Sequence, residues 1–122
     1  MSYDIRFAVR VAGTDEELYA IIGEPERHSP TYNIREMFCK CMDWDFEQGK
    51  FYKVSEVLPN IERGLHELQF HGPKYRKYNS PNGWGDTSSA REALESIIKW
   101  LTDDLRWSWN SDIPLDCLYI AW

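Results

Sequence analysis

Asp4-Ile5-Arg6-Phe7-Ala8-Val9-Arg10-Val11 is the stretch whose reading decides the fold. Ile5, Phe7, Val9 and Val11 alternate with Asp4, Arg6 and Arg10, and a period of two marks a strand with one buried face. Gly13-Thr14-Asp15 reads as the turn that follows. Leu18 to Ile22 gives a second strand, paired with the first as a hairpin. At the far end, Leu115 to Trp122 reads as a third strand after an irregular segment from Trp107 to Pro114.

Between these ends the apolar spacing changes to the helical one. Ile34, Met37, Phe38, Cys41 and Met42 form one stripe, with Asn33 as its N-cap, and Asp45 to Lys50 breaks the helix. Val57, Ile61, Leu65 and Leu68 form a second stripe. Ser55 precedes it, Pro59 falls where an early proline is tolerated, and Gly72-Pro73 ends it. Ala90, Leu94, Ile97, Ile98, Leu101 and Leu105 form the third and clearest stripe. Ser89 with Glu92 fits a capping box, with Asp86 or Thr87 as alternative caps. Residues 24–30 and 72–86 read as loops. The expected class is α+β: a small antiparallel or mixed sheet, made of the N-terminal hairpin and the C-terminal strand, covered by about three helices in the order ββααα-β.

A chain of 122 residues is the length of one domain, residues 1–122. Its hydrophobic fraction of 43% belongs to a folding composition rather than a disordered one. The net charge of -6 argues against generic nucleic-acid binding, which calls for a basic face. No apolar run approaches membrane-spanning length, and the start of the chain lacks the pattern of a signal peptide. Cys39, Cys41 and Cys117 are an odd set that does not suit a disulfide framework, so reduced, buried thiols in a cytoplasm are expected.

His28, His66 and His71 have no partners at zinc spacing, and no phosphate-binding, dinucleotide or nucleophile motif occurs. No metal or cofactor is expected, and catalysis is the less favoured class. Two loops carry polar and aromatic groups that a core does not need. One is His28-Ser29-Pro30-Thr31-Tyr32-Asn33-Ile34-Arg35. The other runs Tyr75-Arg76-Lys77-Tyr78-Asn79-Ser80-Pro81-Asn82-Gly83-Trp84-Gly85-Asp86. Each enters the N-terminus of an expected helix, where free amides and the dipole suit an anion. Tyr, Trp and Arg stack on bases, and Asn reads their edges. The same residues also have a purely structural reading, in which Asn33 and Asp86 cap helices, Asn82-Gly83 makes a turn and Trp84 plugs the core.

Thr31-Tyr32-Asn33 before a Met-Phe helix, Lys74-Tyr75-Arg76-Lys77-Tyr78-Asn79, and Pro81-Asn82-Gly83-Trp84-Gly85 before a Leu-rich helix resemble a family of small uncharacterised proteins. That family is associated with phages and prophages of Gram-positive bacteria. The resemblance spans roughly residues 3 to 101 and brings no catalytic residues. It implies a phage accessory protein acting in the cytoplasm of a bacterial host.

In that setting the sequence supports a non-enzymatic protein that sequesters a nucleotide-derived defence signal. Thr31, Tyr32, Asn33, Arg35, Arg76, Lys77, Tyr78, Asn79, Asn82 and Trp84 would form its site. Tyr32, Tyr78 and Trp84 would stack, Arg35, Arg76 and Lys77 would meet phosphate, and the asparagines would confer specificity. A homo-oligomer would enclose such a ligand well. Two alternatives stand beside it. One is an inhibitor that binds a host defence protein, as an acidic mimic of nucleic acid. The other is a small nucleotide hydrolase using His28 and Asp86 as acid-base groups.

Overall fold

The alternating stretch forms β1, Arg6–Arg10, in a computed structural model that describes residues 3–10, 18–30, 34–79, 83, 85–104 and 114–122. β1 pairs antiparallel with β2, Tyr19–Gly23, and on its other side with β4, Leu118–Ala121. Tyr52–Lys53 forms β3, a two-residue edge strand on β4, and completes an antiparallel sheet of order β2-β1-β4-β3. The expected hairpin and C-terminal strand are both present, and β3 is added to them. A bulge between Phe7 and Ala8 shifts the β1–β2 register. Beyond it the pairing continues through the amides of Tyr3 and Ile5, which donate to the carbonyls of Pro30 and His28 at 2.8 and 2.7 Å. Residues 28–30 are therefore held against the start of the chain.

The period of two sends Phe7 and Val9 of β1 inward, with Leu118 and Ile120 of β4 beside them in register. Three helices cover that inner face: α1 at Arg35–Met42, α2 at Val54–Phe70 and α3 at Thr87–Lys99. α3 runs on as a π-helical turn, Trp100–Asp104, which lays the Trp100 ring flat on Phe7 at 3.9 Å between centroids. Tyr3, Phe7, Phe38, Phe46 and Trp122 are among the largest fully buried side chains, and Phe46 stacks on Trp122 at 4.8 Å. At Gly64, α2 packs tightly against α1 and α3. A Cβ there would lie 2.5 Å from Met42 Cγ and 3.0 Å from Leu94 Cδ1.

Several local expectations change. Ser55 lies inside α2, which begins at Val54, so Pro59 falls at the sixth helical position and not in the first turn. Its ring removes one amide that would otherwise bond the Ser55 carbonyl. Residues 72–86 are not a continuous loop, because Gly72–Tyr78 winds into a 3-10 helix. Pro73 starts it with a preset φ, and the buried Tyr75 anchors it to the core. The N-cap of α3 is Asp86: its carboxylate accepts the Ser89 amide at 2.8 Å and the Ser89 hydroxyl at 3.1 Å, so the Ser89–Glu92 capping box is not what closes the helix. Ile34 occupies the cap position of α1, with no side-chain capping bond, and Asn33 lies outside the described residues. The last strand is shorter than expected, since Leu115–Cys117 is a 3-10 turn before β4. Cys41 is buried and Cys39 half-buried, but Cys117 is exposed, against the expectation of buried thiols. It sits in that turn, ahead of the strand that would have covered it.

Candidate functional site

α1, α2 and the 3-10 helix enclose a cleft of about 190 Å³ lined by Lys40, Arg63, Lys74, Tyr75, Lys77 and Tyr78. Helical spacing explains the α2 side. Arg63, Glu67 and His71 succeed one another at intervals of four, so they share a face. The 3-10 helix then brings Lys74, Tyr75, Lys77 and Tyr78 up to the same spot.

Glu67 ties this cluster together from a side chain only 13% exposed. It accepts the Tyr75 hydroxyl at 3.0 Å. Arg63 and His71 stand 3.7 Å from its oxygens, and Lys74 stands at 4.0 Å. The Tyr75 hydrogen bond is first among the causes that hold the Glu67 carboxyl below its ordinary range, and His71, Lys74 and Arg63 add to it. Burial first, then the Glu67 carboxylate, pushes the Tyr75 hydroxyl up and keeps it a donor. Arg63 also donates to the Cys41 carbonyl, which fixes its guanidinium between α1 and α2. Lys74 lies over the Tyr75 ring at 5.6 Å, and Lys77 over the half-buried Tyr78 ring at 5.2 Å. Four cations thus line the cleft, and Glu67 pairs with two of them, Arg63 and Lys74. Such an arrangement attracts a compact anion and offers an aromatic rim to whatever the anion carries.

The expected site residues divide among places. Lys77 and Tyr78 line the cleft, while Arg76 and Asn79 are exposed beside it on the same short helix. Arg35 stands at the other end of α1, in a separate and larger hollow of about 920 Å³. Lys40 borders both spaces. Its donors are engaged: the Arg35 guanidinium bonds Cys39 Sγ at 3.0 Å, Asp45 Oδ1 at 3.4 Å and the Phe46 carbonyl, and it lies 5.1 Å from the Phe46 ring. It clamps the turn after α1. Thr31, Tyr32, Asn33, Asn82 and Trp84 lie outside the described residues.

The two loops do approach each other, at a third place. A cavity of about 550 Å³ has Glu26, His28 and Pro30 on one wall and Gly85, Ser89 and Glu92 on the other. Its charges are spent internally. Arg27 pairs with Glu92 at 3.7 Å, Lys99 with Glu26 at 3.8 Å, and His28 with Glu24 at 3.9 Å. The first-turn amide of α3 that an anion would seek is taken by Asp86, whose carboxyl that backbone bond holds below its ordinary range. This cavity is therefore a poor phosphate site, and Asp86 has a capping role that accounts for it without catalysis.

Sequence reasoning missed Lys40, Arg63 and Glu67, and it left Lys74 and Tyr75 out of the site although both stand in the motif that runs from Lys74 to Asn79. The four-residue spacing of Arg63, Glu67 and His71 was a visible signal. Lys40 gave none, because it joins the site only through the packing of α1 on α2. Among the described residues, no group of three or more His, Cys, Asp or Glu side chains could hold a metal ion, and no helix is long and apolar enough to cross a membrane. No family model, no curated protein and no solved structure matches the chain.

Proposed function

We propose that this is a non-enzymatic binding protein that sequesters a phosphate-bearing, nucleotide-like ligand at the Lys40–Arg63–Lys77–Tyr78 cleft. The observation that carries this reading is the convergence of four cations, from three different elements, on a small cleft with a tyrosine rim. The volume suits a phosphate or diphosphate group, and the base would lie outside it against Tyr78. In the setting that the phage-associated resemblance implies, the ligand would be a nucleotide-derived defence signal and the protein a counter-defence factor in the host cytoplasm.

Thermal unfolding against a panel of cyclic nucleotides and ADP-ribose compounds tests this. A ligand present at about 100 times its dissociation constant adds roughly 2.7 kcal/mol. That raises the midpoint of a domain this size by several degrees. Lys77→Glu should abolish the shift while leaving the unliganded midpoint unchanged, since Lys77 is exposed. Recovery of intact ligand after binding separates sequestration from hydrolysis. A flat panel, or a shift indifferent to Lys77→Glu, overturns the assignment.

A further inference from the structure

The outer face of the sheet, away from the helices, has a composition unlike the rest of this acidic chain. The strand residues include no Asp or Glu. Their charged members are Arg6, Arg10 and Lys53, and the register puts all three on that face. Phe7 and Val9 point inward, so Arg6, Ala8 and Arg10 point outward, and Tyr119 and Lys53 lie in register beside Ala8. Tyr19 stands opposite Arg10 on the other side. Tyr19 stacks on Phe51 at 4.3 Å and meets Tyr119 edge-on at 5.0 Å, while Arg6 lies over Phe51 at 5.7 Å. All three rings are half-buried, with part of each open.

Among the described residues, no carboxylate lies within ion-pairing distance of these cations. Arg6, Arg10 and Lys53 form no ion pair with a described residue, and the Nε of Arg6 is buried without a hydrogen-bond partner. A half-buried guanidinium without an acceptor is costly unless something else supplies one. Rings with partly open surfaces, between cations on one sheet face, suit unpaired bases joined by phosphates better than they suit a duplex, whose bases are already stacked. The net charge of -6 opposes broad electrostatic adhesion, and it makes a cationic patch whose strands carry no carboxylate more selective for a nucleic-acid strand lying along it.

We infer that the outer sheet face, where Tyr19, Phe51 and Tyr119 lie among Arg6, Arg10 and Lys53, binds a short segment of single-stranded nucleic acid. This site is independent of the cationic cleft on the helical side. The rings take the bases, and the two arginines and the lysine take the phosphates.

Fluorescence anisotropy of labelled twelve-nucleotide oligo(dT) with the full chain provides the test. Binding is expected within the weak range up to about 100 µM, and its log–log salt slope should be about −2, for three cations on a single strand. Arg10→Glu, an exposed position, should weaken binding roughly tenfold, and Tyr119→Leu by a similar factor through lost stacking. Lys77→Glu, which disables the cleft, should leave the oligonucleotide affinity at the sheet face unchanged. Circular dichroism establishes that each variant is folded, and Lys53→Glu gives a second reading if Tyr119→Leu is not. Absence of binding overturns the inference. So does equal loss with Lys77→Glu, which would place the oligonucleotide in the cleft. Concentration-dependent dimerisation abolished by Arg10→Glu would show instead that the face meets a second copy of this chain.

Discussion

Gly64→Ala sets two known effects against each other. In an exposed helix the change stabilises by about 0.8–1 kcal/mol, because glycine has more backbone freedom to lose. At position 64 the added methyl would sit 2.5 Å from Met42 Cγ, 3.0 Å from Leu94 Cδ1 and 3.3 Å from Cys41 Sγ. Those three side chains are fully buried, so none can swing into solvent to make room. Overpacking a closed core costs about 1–3 kcal/mol, and an approach of 2.5 Å belongs to the upper part of that range. The net expectation is a loss of about 1–2 kcal/mol, a fall in the unfolding midpoint of roughly 5 °C for a domain this size. Chemical denaturation at constant slope measures it. Met42→Ala alone should cost about 2–5 kcal/mol by opening a hole. With that hole present, Gly64→Ala should become stabilising, so the double-mutant cycle gives a coupling energy of favourable sign. If Gly64→Ala raises the midpoint in the parent protein, α1, α2 and α3 do not meet as closely as described, and the placing of Lys40 on α1 beside Arg63 on α2 loses its support.

The other expectations are brief. Asp86→Ala should cost about 1 kcal/mol through the lost cap of α3 and leave binding at the Lys77 cleft intact; an effect on binding instead of stability would move the site to the Gly85 cavity. Glu67 is held below the ordinary carboxylate range, so its contribution is complete at neutral pH and fades as pH falls through the acid range toward its folded-state value. The stability difference between the parent and Glu67→Gln should therefore shrink on acidification, and a difference that grew would reverse the sign. A thiol reagent should modify the exposed Cys117 first and the half-buried Cys39 slowly. Cys41, buried with its thiol pushed up to about 12, should react only on unfolding. Two fast equivalents would contradict that order.

β1 and α3 were legible in the sequence because each repeats its period several times over, and β2 because its short apolar run follows a turn signal. Phe7 and Val9 had neighbours that agreed with them, and Ala90, Leu94 and Ile97 had a full helical stripe. Tyr52–Lys53 had no such support. Two residues cannot display a period, and they become a strand only because β4 offers them a partner. The 3-10 helix was hidden for a related reason. Its polar composition reads as loop, and the buried Tyr75 that anchors it looks no different in sequence from the half-exposed Tyr78. Lys77 and Tyr78 were picked out by residue type, but their companions Lys40, Arg63 and Glu67 lie ten or more positions away on helices whose exposed faces looked merely solvated. A cleft assembled from three elements leaves no contiguous trace. Whether the loops at 28–30 and 85 meet was not legible in the sequence; they share a cavity, and around it lie carboxylates and paired cations.

The sheet order has a kinetic consequence. The first strand lies at the centre of the sheet, between its hairpin partner and the last strand. Loop closure across nearly the whole chain must precede that central pairing, and contacts so distant in sequence slow folding. On the ribosome, the β1–β2 hairpin emerges early with Phe7 uncovered and one backbone edge open, and it waits in that condition until Leu118–Ala121 has been made. The interval before that strand arrives is the period of greatest exposure to chaperones and to mispairing with other chains.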